Sequence, residues 1–293
     1  MKFHYGKALA AVFMLLGMSS CKSEYQALLE GYDEEAKYAA AFDYFNQGKF
    51  SKASQLFESL SVTTSGTSRD DTIHYYWGLS NYRYKDFYTA ETNFQEFTEK
   101  FPRSPFAESA SFLRIDCLYK QTLRYELDQS SSVQTITAIG EFLNSFPRTE
   151  HLDECRDMLS DLSLRLDRKA YEGAKLYYKM EDYLAARIAL KNVLKEDSDN
   201  FYREEILYYT AKSSYKYAQL SVPEKQRERY LTFIDDYFNF VGEYEESQYR
   251  REMDALYRRA QKALGRSVED GEDDETSEKD FEKERKLLRS KSE

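Results

Sequence analysis

His4, His74 and His151 are the only imidazoles in 293 residues, and Cys21, Cys117 and Cys155 are the only thiols. Metal or thiol–imidazole chemistry would gather several of these at ligand spacing, and neither His74 nor His151 belongs to such a cluster. His74 has no acid or nucleophile at a motif spacing and reads as a helix-face residue. Asp128 opens the polar stretch Gln129 to Ser132 before an apolar helix, which suits a cap or loop contact. No two glycines form G-x-G and no Gly-Lys-Ser/Thr follows a Gly-rich loop, so the loops that cradle phosphates are missing. The residues therefore predict no catalytic site, no metal site and no cofactor. The balance of 42 basic against 52 acidic side chains gives a net charge of −10, against the basic footprint that nucleic acid selects.

One thiol remains with a chemistry of its own. Lys2 and Lys7 precede the apolar run Ala8 to Met18, about half the length a membrane-spanning helix needs. Residues 1–20 read as a secretory signal. Ser19 and Ser20 before Cys21 resemble the lipobox of bacterial lipoproteins, with Met18 where Leu is commonest. That resemblance implies cleavage before Cys21 and acylation of its thiol and new amino group, with residues 21–32 as a lipidated linker. Each buried acyl methylene contributes about 0.8 kcal/mol, so several chains anchor firmly. Lys22 does not look like an inner-membrane retention signal, which points to the outer membrane. An ordinary secreted protein with a chance Cys is the alternative. Cys117 and Cys155 read as buried small residues on apolar helix faces, although an oxidising compartment could join them.

These residues need a scaffold, and the chain supplies helices. Only 11 Gly and 4 Pro punctuate it, and 16% aromatics is too many for wholesale disorder. From Asp33 to Leu264 apolar residues recur at i, i+3, i+4 and i+7. Three segments are alike: Tyr44 to Ala53 then Phe57, Asn81 to Ala90 then Phe94, and Tyr177 to Ala186 then Leu190. Each has aromatics, a tight turn, an aromatic three residues before an Ala, and a large apolar residue four after it. Ala41, Gly78 and Ala174 share a small position one helix earlier. The pattern resembles the tetratricopeptide repeat, a helix–turn–helix unit of about 34 residues.

A second signature marks unit ends. Phe101-Pro102-Arg103-Ser104 recurs as Phe146-Pro147-Arg148-Thr149, with Tyr244-Glu245-Glu246-Ser247 as a degenerate copy. Pro stops a helix and Ser or Thr can cap the next one. Five units result, at 33–66, 70–104, 105–149, 150–199 and 200–264, with repeats 1–3 in 33–149 and repeats 4–5 in 150–264. The wide spacing of later copies requires longer helices or loops near Leu123 to Val133 and Tyr215 to Glu228. The expected fold is all-α, a right-handed solenoid of about five repeats. Residues 265–293 hold the acidic block Glu269 to Glu275 and read as a solvated, disordered tail, with Phe281 to Leu288 as a short helix at most.

The order of features is more specific. Cys21 is followed by Ser23 to Leu29, then two Pro-ended repeats, then Leu127-Asp128-Gln129-Ser130. Arg168-Lys169-Ala170-Tyr171 and Leu176 to Tyr183 come next. Tyr202-Arg203-Glu204-Glu205, Ser213 to Ala218, Ser221-Val222 and Glu224 to Tyr230 complete the series. In this order, residues 18–264 resemble the BamD family, lipoprotein subunits of the outer-membrane β-barrel assembly machinery. The resemblance implies a non-enzymatic scaffold on the periplasmic face of the outer membrane. It implies docking to the periplasmic domains of a BamA-type barrel protein through C-terminal repeats, and receipt of unfolded outer-membrane proteins by N-terminal repeats.

In register, the first helices of repeats one and two line an inner face with Tyr38, Phe42 and Phe45, then Tyr75, Leu79, Tyr82 and Arg83. Such a face suits a strand of alternating apolar and aromatic residues, since Tyr offers area with few rotors. The other reading of these rings is plain core. In the C-terminal half Arg203, Lys212, Lys216, Arg227 and Arg229 lie near Glu204, Glu205 and Glu228, as a charged docking surface or a solvated helix face. Two further classes stand beside this one. A periplasmic repeat lipoprotein could scaffold a cell-wall or secretion complex, or a lipoprotein could bind glycans, the latter disfavoured by the single Trp77.

Overall fold

In the computed structural model residues 24–266 are described. The signal segment, the Cys21 lipidation position and the acidic tail beyond Arg266 lie outside the described residues. Among the described residues every regular element is an α-helix. In order they are α1 (Glu24–Glu30), α2 (Glu34–Asn46), α3 (Phe50–Thr63), α4 (Asp70–Tyr84), α5 (Phe87–Lys100) and α6 (Ala107–Lys120). Then follow α7 (Ser130–Ser145), α8 (Leu152–Lys179), α9 (Tyr183–Glu196), α10 (Arg203–Gln219), α11 (Pro223–Glu243) and α12 (Arg250–Ala263). The fold is all-α, built of helix pairs of the tetratricopeptide type.

The turn inside a pair repeats its backbone conformation with different residues. Gly48, Lys85 and Glu181 each sit five residues before Ala53, Ala90 and Ala186, and each is left-handed, with φ of 73°, 68° and 63°. Glycine takes that conformation without the penalty a side chain brings. Where Lys85 and Glu181 replace it, the next residue is Asp86 or Asp182. Their carboxylates accept from the N–H groups of Thr89 and Ala185, both at 3.1 Å. Lys49, after Gly48, makes no such side-chain cap. Between pairs, Ser104, Thr149 and Ser247 accept from the N–H two residues on, at 3.2, 3.2 and 3.0 Å.

Packing follows from the repeated positions. Ala53, Ala90 and Ala186, and the large residues Phe57, Phe94 and Leu190, are all fully buried. Gly78 lies where a Cβ would come within 2.9 Å of the Phe94 ring, so the small residue sets how closely α4 and α5 approach. The repeat length is visible in the hydrogen bonds. Arg69 to Glu35, Tyr75 to Ser109, Tyr82 to Asp116, Gln121 to the Phe87 carbonyl, and the Phe201 N–H to Asp167 each span 34 residues. Adjacent repeats are thus joined at equivalent positions.

One expectation is revised. The segment 21–32, expected as a linker, contains α1, because Tyr25 finds partners: its hydroxyl donates to Gln55 Oε1 at 2.9 Å and its ring meets Tyr44 edge-on at 5.5 Å. The extra length expected in helices or loops of the later repeats is carried by both: α8 runs 28 residues and α11 runs 21, and the stretch after Lys120 is a loop. The polar insert around Asp128 is a loop held by Gln129, whose buried amide donates to the carbonyls of Arg124, Leu127 and Asp128.

The chain forms two compact units. Unit 1 comprises the described residues up to Leu123 with Ser130–Leu159; unit 2 comprises Arg124–Gln129 and Ser160 onward.

Candidate partner-binding surfaces

In unit 1, α2 and α4 carry an aromatic sheet of side chains. Tyr38 and Phe42 lie 4.9 Å apart, and Phe42 and Phe45 meet Tyr76 at 4.8 and 5.2 Å. These rings are half-buried, with fully buried Phe57 behind Phe42 at 5.1 Å. Tyr76 packs with both the α2–α3 and the α5–α6 clusters and so joins them. It was missed in the repeat comparison because its neighbour Tyr75 fits the same aromatic position; two adjacent rings on one helix must serve two neighbours. The Arg69 guanidinium covers Tyr38 at 4.7 Å and pairs with Glu35 at 2.8 Å.

The α4 residues divide by role. Tyr75 is buried, stacks on Phe106 at 4.5 Å and shares a hydrogen bond with Ser109. Tyr82 is half-buried and donates to Asp116 at 2.6 Å; burial, then that carboxylate, push its phenol far above the ordinary range. Leu79 is half-buried and Arg83 exposed. Beneath them Ser54 donates to Asn81 at 2.5 Å and Asn81 to Asn93 at 2.7 Å, a buried polar chain that fixes α3, α4 and α5. Tyr75 thus belongs to the core, while Tyr38, Phe42, Phe45, Leu79, Tyr82 and Arg83 keep surface.

His74 lies between Lys100 at 3.2 Å and Asp70 at 3.3 Å, and burial together with Lys100 holds its pKa below the usual imidazole value. Cys117 and Cys155 are free and buried; burial, with Asp116 and Glu91 nearby, pushes the Cys117 thiol up to about 12. A thiol held protonated is inert.

Unit 2 is built with charge. The Asp236 carboxylate, on α11 and almost fully buried, receives Arg187 at 2.6 Å and Lys191 at 2.5 Å from α9, and the Ser214 hydroxyl from α10. Lys212 donates to the Tyr208 hydroxyl at 2.6 Å and pairs with Glu252 at 2.8 Å, while Tyr208 donates to Glu252 at 2.7 Å. Burial opposes the charge on Lys212, but the Glu252 hydrogen bond outweighs it and its pKa rises. Burial likewise presses Glu252 upward, and its bonds from Lys212 and Tyr208 bring it below the ordinary carboxylate value.

The expected docking cations have different settings. Arg203 makes a two-pronged pair with Glu243 at 2.7 and 2.8 Å. Arg229 lies 3.9 Å over the Tyr217 ring and donates to Ser221. With Lys212, these three serve the fold first. Lys216 is half-buried and Arg227 exposed. The sequence comparison did not single out Arg187, Lys191 or Asp236, since Arg187 and Asp236 stand 49 residues apart. Among the described residues no cluster of three metal-ligating side chains occurs, and no helix is long and apolar enough to cross a membrane.

The family model described as an outer membrane lipoprotein, YfiO, matches residues 30–231, which take in the aromatic sheet of unit 1 and most of the charged helices of unit 2. The chain belongs to the YfiO family of outer membrane lipoproteins. Its similarity to the outer membrane protein assembly factor BamD of Caulobacter vibrioides runs over 203 residues at 21% identity, 68% of this chain and 67% of that protein. Among solved structures, the yeast Sti1 TPR2AB domain in its pHSP90 complex aligns with 78% of this chain and 98% of its own. The TM-score of that match is 0.38 and the identity 14%. As a member of the YfiO family, the chain carries Tyr38, Arg203 and Arg229 within the matched span and α12 beyond it.

Proposed function

We propose that this chain is a lipid-anchored, non-enzymatic subunit of the outer-membrane β-barrel assembly machinery, tethered at the periplasmic face through acyl groups on Cys21. The observation that carries the reading is the family match over residues 30–231 immediately downstream of the lipobox-like Ser19-Ser20-Cys21. The half-buried rings of Tyr38, Phe42 and Phe45, with Leu79, Tyr82 and Arg83, receive apolar–aromatic segments of unfolded barrel proteins. Rings of this kind contribute contact area at small entropic cost. Tyr75 holds that surface from below. In unit 2, Lys216 and Arg227 face the periplasmic domains of a BamA-type barrel protein, with Arg203, Lys212 and Arg229 stiffening the helices that present them.

The test is purification of the tagged chain from membranes in mild detergent, with mass spectrometry of what accompanies it. A barrel-assembly protein among the partners, and loss of outer-membrane barrels on depletion, are the expected results. Recovery of a wall-building or secretion assembly with barrels intact would replace the reading.

A further inference from the structure

The last described helix has its charges sorted by side. Along α12 stand five basic and two acidic side chains, in a chain whose net charge is −10. Both acids are taken by neighbours: Glu252 by Lys212 and Tyr208, and Asp254 by Tyr237 at 2.8 Å and Arg250 at 2.8 Å. Met253, Leu256, Tyr257, Ala260 and Gln261 are buried against the rest of unit 2. Arg251, Arg258, Arg259 and Lys262 remain on the outer side, exposed. Among the described residues no acid pairs with any of the four. Unopposed cations at this spacing repel one another and favour an anionic cover.

The chain provides one within reach. At the end of α12, Gly265 is left-handed with φ of 76°, the Gly265 N–H donates to the Lys262 carbonyl at 3.1 Å, and the Arg266 N–H to the Gln261 carbonyl at 3.0 Å. This is the paired bonding that ends a helix and turns the chain out of its path. After Ser267 and Val268 begins Glu269-Asp270-Gly271-Glu272-Asp273-Asp274-Glu275, which holds six acids in seven positions. From Arg251 to Lys262 the helix rises about 16 Å. Seven extended residues reach about 23 Å, enough to cover it.

We propose that the acidic segment 269–275 folds back along α12 and neutralises the face formed by Arg251, Arg258, Arg259 and Lys262. The segment is a built-in competitor there: an acidic partner surface reaches these cations only by displacing it. The inference stands apart from the barrel-assembly reading, because it concerns only the chain's own charges.

The experiment uses the full mature chain with Cys21→Ser and a nitroxide on Gly271→Cys, a position that leaves all six acids in place. Cys117 and Cys155 are buried and escape the label. Amide signals of residues 251–262 should lose at least about half their intensity at low salt and recover near 1 M salt, where screening reaches about 3 Å. They should also recover when the six acids are changed to Asn and Gln. An unchanged helical circular-dichroism spectrum shows that this variant is folded. Undiminished signals at low salt overturn the proposal, as does broadening that survives neutralisation of the acids.

Discussion

Unit 1 and unit 2 reach the same helix pairing by different chemistry. In unit 1 rings dominate the contacts between α2, α3 and α4, among them Phe42 with Phe57 and Tyr76 at 5.1 and 4.8 Å, beside the Ser54–Asn81 hydrogen bond. In unit 2 rings also pack, as Tyr215 does on Phe233 at 5.3 Å, but α9, α10 and α11 meet in addition at one buried carboxylate, Asp236, and α10 and α12 at Glu252. Aromatic packing is indifferent to which ring is presented and tolerates partial exposure. A buried carboxylate fixes the identity of its partners, because leaving it unpaired is costly. The contrast separates packing that accepts any ring of suitable size from packing that specifies its own partners.

The comparison can be broken at its strongest points first. Phe57→Ala in unit 1 should cost about 3–5 kcal/mol, since Phe57 is fully buried. Denaturant midpoints should give that loss equally at low and high salt. Asp236→Asn in unit 2 should cost about 2–3 kcal/mol, because two cations lose their counter-charge and one of the two acceptor oxygens becomes an NH2 donor. Here the penalty should shrink with salt, since Lys191 is 43% exposed. Equal salt response of the two variants would erase the distinction.

A pH series sharpens it. Glu252 has a lowered pKa in the folded chain, so its contribution is present above the ordinary glutamate value of about 4.3 and disappears as pH falls through the lowered value. The destabilisation by Glu252→Gln, measured by thermal melts, should therefore be present at pH 7 and fade on acidification. A penalty that stays constant down to pH 3 would mean the charge is idle.

The repeat signatures were legible in the sequence because they depend on neighbours. A Pro stops its own helix, and an Ala five residues past a turn packs against the partner across that turn. Helix pairing, the buried Ala53, Ala90 and Ala186, and their companions Phe57, Phe94 and Leu190 follow from such spacing. The partners of charged residues were not legible. Lys212 stands beside Lys216 and Arg203 in one basic-looking stretch, yet its acid is Glu252 on another helix. Which of Tyr75 and Tyr76 turns toward which neighbour is likewise decided by α3 and α5, not by α4 alone.

Smaller effects test the turns and the surface. Lys49→Asp should stabilise unit 1 by about 1 kcal/mol, giving the first repeat the cap that Asp86 and Asp182 supply elsewhere. No gain in melting temperature would show that Gly48 already satisfies this turn. Arg83→Glu should leave stability within about 0.5 kcal/mol, as an exposed residue should. It should also weaken fluorescence-detected binding of a barrel-protein C-terminal peptide; unchanged binding would remove Arg83 from the guest surface.

Both buried thiols, Cys117 and Cys155, lie in unit 1, and neither is bonded. Once Cys21 is removed, any sulfhydryl reagent can report on one half of the molecule alone. Its uptake counts the openings of unit 1 against time, with no mutation or dye placed in the packing. Maturation of these helices, by the same token, asks nothing of an oxidising enzyme.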